Sequence, residues 1–94
     1  MNKYELVMIA QPELDENAIK GVNEKVKGWV TEAGGSIDNV DIWGKRRMAY
    51  SIRKQREGLY VLTNISMPPA ASAVLERNLR LTENIIRFMI TVVN

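Results

Sequence analysis

The chain has 94 residues, with 13 Lys and Arg against 11 Asp and Glu, a formal net charge of +2, and neither Cys nor His. That length supports one domain over residues 1–94 with a small core, since a chain of this size buries only somewhat over ~60% of its unfolded surface. The lack of Cys and His excludes disulfides, thiolate chemistry, cysteine-ligated zinc or iron–sulfur centres and an imidazole general base. Carboxylate or Lys chemistry stays open, as does an oxygen-only metal site, but no motif stands behind either, and no cofactor is expected.

Residues 3–10 alternate with period two, Tyr4, Leu6, Met8 and Ala10 on one side and Glu5, Val7 and Ile9 on the other, which predicts a strand that Gln11-Pro12 ends. Its apolar run Leu6 to Ala10 is the longest in the chain and far too short to span a bilayer. With no signal-peptide pattern in the opening residues, a cytoplasmic chain without a membrane partner is expected.

A helix is predicted from Asp15, whose side chain suits an N-cap, with Leu14 and Ile19 spaced as a hydrophobic staple. Ile19, Val22, Val26, Trp29, Val30 and Ala33 form its inner stripe and Gly34-Gly35 its stop. A long strand over 36–53 follows, with a bulge or kink expected at Trp43-Gly44. Beyond that bend, Arg46, Met48, Tyr50 and Ile52 are read as sharing one face and Lys45, Arg47, Ala49, Ser51 and Arg53 the other. Arg53 to Gly58 reads as a polar hairpin turn, and Leu59 to Met67 as the returning strand. Pro68-Pro69 opens a second helix with Ala71, Val74, Leu75, Asn78 and Leu79 inside. A last strand occupies 85–93.

The order β-α-β-β-α-β is that of the ferredoxin-like split β-α-β sandwich, an α+β fold. Right-handed crossovers predict a four-stranded antiparallel sheet of order 4-1-3-2 with both helices on one face.

Two helices cover only one sheet face. The strongest apolar set (Leu6, Met8, Met48, Ile52, Val61, Ile65, Phe88, Ile90) is assigned to the helix side. Val7, Ile9, Arg47, Ala49, Tyr60, Leu62, Asn64, Arg87 and Met89 are left on the open side. A merely solvated face is richer in Lys, Glu and Thr, and exposed apolar patches mark contact surfaces. Val7, Ile9, Ala49, Tyr60, Leu62 and Met89 are therefore the candidate interface for a protein or RNA partner.

The net charge hides a division. Residues 1–41 hold four basic and eight acidic residues, a balance of −4; residues 42–94 hold nine and three, a balance of +6. Such a split points to a polyanion-binding surface. Lys45, Arg47, Arg53, Lys54 and Arg87 are the candidate phosphate contacts. Arg46 is placed toward the helix side by its alternation. Arg56 at the turn reads as well as plain solubility charge, and Arg77 and Arg80 are read first as i,i+3 or i,i+4 ion-pair partners of Glu76 and Glu83. Arg56 to Leu62 faintly echoes the aromatic motif of RNA-recognition modules, but only Tyr60 of its aromatic triad is present. Shape and phosphate recognition therefore fit better than base stacking. Trp43 either packs beside the bulge or presents a flat contact surface.

Two segments carry a family resemblance: Trp43-Gly44-Lys45-Arg46-Arg47-Met48-Ala49-Tyr50-Ser51-Ile52, followed by Glu57-Gly58-Leu59-Tyr60, and Leu75 to Asn84 running into Ile85-Ile86-Arg87. With Met1 to Glu5, Pro12-Glu13-Leu14 and Gly34-Gly35, they make the chain resemble the bacterial small (30S) ribosomal subunit protein six family over essentially its whole length. The resemblance implies a non-catalytic structural constituent of the small subunit, acting in ribosome assembly and translation. It further implies binding to the central domain of the small-subunit (16S) ribosomal RNA as a heterodimer with small-subunit ribosomal protein eighteen. Ser51 stands where the family often has Pro, Asn2 where it is often basic, and the chain stops at Asn94 where many members carry an extension.

Two other readings compete. An acylphosphatase-like enzyme or ligand-binding regulatory module on the same fold would need an anion cradle after the first strand. Ala10-Gln11-Pro12-Glu13 offers neither Arg nor a Gly-rich turn. Alternatively, the long second strand pairs with a copy of itself.

Overall fold

A computed structural model describes residues 1–52 and 55–93; for 49–52 and 55 it describes the strand path and not the side chains. The elements are β1 (Asn2–Ala10), α1 (Glu16–Glu32), β2 (Ser36–Ile52), β3 (Gln55–Met67), α2 (Ala71–Arg80) and β4 (Ile85–Val93). They form one antiparallel sheet of order β2-β3-β1-β4, the ferredoxin-like order expected from the alternation.

Local chemistry sets the limits of α1. Asp15 Oδ1 accepts the Ala18 N–H at 2.8 Å, which satisfies one of the orphan donors of the first turn. At the other end Gly34 takes φ +88°, a conformation open to glycine at little cost. The Gly35 amide then donates to the Val30 carbonyl at 2.8 Å and the Gly34 amide to that of Thr31 at 3.0 Å, the paired bonds of a Schellman stop. Gly35 also lies against β3. A Cβ there would sit 2.5 Å from the Ser66 carbonyl oxygen and 2.7 Å from Met67 Cβ, so the residue lets helix and sheet close together.

Alternation places the core. Tyr4, Leu6, Met8 and Ala10 of β1, with Val61, Ile65 and Met67 of β3, face Ile19, Val22, Val26 and Val30 of α1 and Ala71, Leu75 and Leu79 of α2 in one buried cluster. Both helices therefore lie on the same side of the sheet. Trp29, Ala33, Ile37, Leu59, Phe88 and Ile90 pack around the cluster's margin.

Three expectations change. Val74 is 54% exposed, because the buried stripe of α2 runs through Ala71, Leu75 and Leu79 at i, i+4, i+8 and leaves Val74 about 100° off its axis. β3 begins at Gln55, four residues before the pattern suggests. Glu57 and Gly58 pair with Arg47 and Arg46 in a two-stranded arm, where neither face must be apolar. Met48 is buried but lies outside the main core cluster, so it does not anchor the helix side of β2.

Gly21 and Gly28 lie exposed within α1, and an added Cβ would meet nothing within 4 Å at either. Both have helical neighbours on either side. Gly21→Ala and Gly28→Ala are each expected to raise stability by about 0.5–1 kcal/mol through lower unfolded-chain entropy. Thermal melts of the single and double variants, with additive shifts, check this.

Candidate nucleic-acid interface

The uncovered sheet face is built in cross-strand rows. One row runs Arg87, Ile9, Tyr60, Gly44 across β4, β1, β3 and β2; the next runs Met89, Val7, Leu62, Asp41. Behind them, Thr91, Glu5, Asn64 and Asn39 form a polar row. Apart from Val93 at the far end of β4, the apolar residues of this face are thus gathered in two neighbouring rows at one end of the sheet. Val7, Ile9, Tyr60 and Leu62 are half-buried by one another, and Met89 is 58% exposed. The candidate interface residues Val7, Ile9, Tyr60, Leu62 and Met89 share this patch; the side chain of Ala49 lies outside the described residues.

Past the first row β1 stops pairing, at Ala10 opposite Leu59, while β2 and β3 continue through Lys45–Leu59, Arg46–Gly58 and Arg47–Glu57. This leaves an arm projecting beyond the three-stranded edge. Lys45, Arg46, Arg47 and Arg56 on it are all exposed. Gly58 is buried at its root, where Ile9 Cγ2 occupies the space a Cβ would need. The apolar patch therefore adjoins a cationic arm directly. Arg53 and Lys54 lie outside the described residues. Arg87 is exposed at the far end of the first row and engages in an interaction of its own.

The arm corrects the face assignments made from alternation. The pairing shifts between Ile42 and Gly44, so Trp43 and Gly44 together oppose Tyr60, and Gly44 takes φ +84°. One extra residue inverts the positions that follow it, here as far as Arg47, beyond which the register shifts again. Lys45 and Arg47 consequently share the register face of Leu59 and Val61, and Arg46 shares that of Tyr60, the reverse of the expectation. All three stay exposed because the arm has no helix over it.

The bulge also brings together what composition did not. The Trp43 and Tyr60 rings lie parallel, 7° apart with centroids at 6.2 Å, and Trp43 Nε1 donates to Asp41 Oδ2 at 3.0 Å. Trp43 and Arg46 are the contributions of this surface that alternation missed; Trp43-Gly44 inside a strand was the available signal.

Elsewhere the surface offers little for chemistry. In the loop after β1 the Gln11 amide donates to the Asn84 carbonyl and the Leu14 amide to that of Gln11, so these amides do not converge on an anion. Among the described residues no group of three or more carboxylates could hold a metal ion. Arg80 pairs with Glu76 across one helical turn at 2.5 Å, as the spacing suggested. The β2 edge carries bulges near Asp38 and Trp43 and charges along its length, devices that oppose pairing with another copy. No described helix is long and apolar enough to cross a membrane.

The family model of ribosomal protein S6 matches residues 3–92. The chain belongs to the ribosomal protein S6 family. It is 47% identical over 90 residues to the small ribosomal subunit protein bS6 of Clostridium botulinum, covering 96% of both chains. It is 46% identical to that of Clostridium perfringens, covering 96% of this chain and 95% of the relative. The crystal structure of 30S ribosomal protein S6 from Thermotoga maritima superposes with a TM-score of 0.90 at 31% identity, over 98% of this chain and 87% of the other. The family is a structural one of the small ribosomal subunit and not an enzyme family. That removes the acylphosphatase-like alternative.

Proposed function

We propose that the chain, folded as one domain, is a structural component of the small ribosomal subunit that holds ribosomal RNA and a protein neighbour on one continuous surface. The observation that carries this is the junction of the cationic arm with the two-row apolar patch on the one uncovered sheet face. Lys45, Arg47, Arg53, Lys54 and Arg87, joined by Arg46, neutralise phosphates of the central domain of the small-subunit RNA. Val7, Ile9, Ala49, Tyr60, Leu62 and Met89 dock small-subunit protein eighteen. Counterions leave the RNA as cations bind, so affinity falls as salt rises. A partner docked on the patch brings its own groups to the same RNA, so the pair is expected to bind more tightly, and with a steeper salt dependence, than this chain alone.

Filter binding to a central-domain RNA fragment across a salt series, with and without the partner protein, tests both halves. Affinity is expected to fall linearly on log–log axes and to rise when the partner is added. Salt-indifferent binding, or no effect of the partner, would sink the respective half.

A further inference from the structure

We propose that the Trp43–Tyr60 pair is a stacking platform for one unpaired nucleobase of the bound RNA, with Arg46 receiving the adjoining phosphate. The inference rests on the RNA-binding reading above and adds a mode of contact to it, bases held by their π-faces beside phosphates held by charge; it moves Tyr60 from the protein-docking set to the RNA side.

Four features of the site converge. First, the bulge sets two residues of β2 against Tyr60, and the positive φ of Gly44 makes that possible. The indole is thereby laid parallel to the phenol ring and not left beside the strand edge. Second, its orientation is fixed, because Nε1 donates to Asp41 Oδ2. Third, the indole is still 42% exposed, so a flat apolar surface remains in solvent after its own packing is complete. A π-face of this kind accepts any base, without reading hydrogen-bond edges.

Fourth, the charges flank it in order. Arg46 follows Gly44 by two residues on the same register face, about 7 Å along a strand rising ~3.4 Å per residue. That separation suits a base and its own phosphate. Asp41 lies on the other side of the indole, one row back, so the strand's anionic backbone is directed toward the arm. The guanidinium fork and the stacked ring together recognise a nucleotide as a unit, which neither does alone.

The test compares wild type, Trp43→Leu and Trp43→Phe in filter binding to the central-domain RNA fragment over a salt series. Circular dichroism confirms that each variant folds. Trp43→Leu removes the ring while keeping an apolar side chain, and is expected to weaken binding roughly 5- to 150-fold, the range seen for loss of one stacked base. The salt slope should stay unchanged, because no phosphate contact is lost. Trp43→Phe restores a stacking face and most of the affinity. RNA is also expected to quench the indole emission of wild type, and to leave Trp43→Phe, which retains only Trp29, unquenched.

Salt-dependent binding of wild type with equal affinity for Trp43→Leu overturns the platform and leaves the RNA-binding reading standing. No binding by wild type at any salt overturns both. A loss in Trp43→Leu that appears only when a partner protein is added also overturns the proposal, by assigning the ring to that protein.

Discussion

A chain carrying Lys45→Gln, Arg46→Gln and Arg47→Gln together is expected to bind small-subunit ribosomal RNA roughly 100- to 500-fold more weakly near ~0.1 M salt. Its log–log salt slope should flatten by about 2 to 3, because each phosphate contact contributes about 0.7–0.9 to the slope. The size of the effect follows from where these residues stand. They occupy three consecutive positions of an arm that has left the shelter of β1 and of both helices, so their charges are solvated and ready to replace counterions. The same placement predicts an unchanged melting temperature, since none of the three contributes to the core cluster. Single variants refine the picture. Comparable losses at all three are expected, because the register sets Lys45 and Arg47 on one face of the arm and Arg46 on the other, and the RNA reaches both. A loss confined to Arg46→Gln would mean that the RNA lies on the Tyr60 side of the arm alone. An unaltered salt slope in the triple variant would remove the arm from the RNA-binding surface altogether.

The contrast between those positions also shows where sequence reasoning held and where it slipped. Period-two runs in β1 and β3 place every inward residue correctly, because those strands are central and one face of each is sealed by helices. Asp15, Leu14 and Gly34-Gly35 mark the ends of α1 for a local reason: caps and stops are satisfied within a few residues, whatever the rest of the chain does. β2 is different. It is an edge strand with an inserted residue and an unsheltered end, so neither register nor burial is imposed from both sides. Gly44 announces the bulge, but the count of residues facing Tyr60 depends on the partner strand and is not written in β2 itself. Met48 then misleads, since an apolar residue in a projecting arm need not point at the main core. The Trp43–Tyr60 stack was illegible for the same reason. The two rings are 17 positions apart in the sequence, and only the bulge aligns them.

The core of the sheet allows the complementary experiment, in which stability is lost and binding is kept. Leu6 is fully buried at the centre of β1, opposite Thr63 on one side and Ile90 on the other. Leu6→Ala removes apolar volume where neighbouring strands and both helices limit collapse, which costs about 2–5 kcal/mol. Against a total of ~5–15 kcal/mol for a typical domain, that is a large share. For a chain of this length it lowers the melting temperature by roughly 10–40 °C, at ~4–8 °C per kcal/mol. Calorimetry measures the shift directly, and a fall of only a degree or two would mean that the strand repacks around the lost methyl groups. RNA affinity, measured at a temperature where the variant is still folded, is expected to stay within about a factor of two of wild type. Leu6 faces the helices, and neither the arm nor the open face touches the cavity it leaves. The arm variants and the core variant thus move opposite observables, one the affinity at constant melting temperature and the other the melting temperature at constant affinity. Such a division requires that the scaffold and the binding surface occupy opposite faces of one sheet, as the alternation of β1 places them.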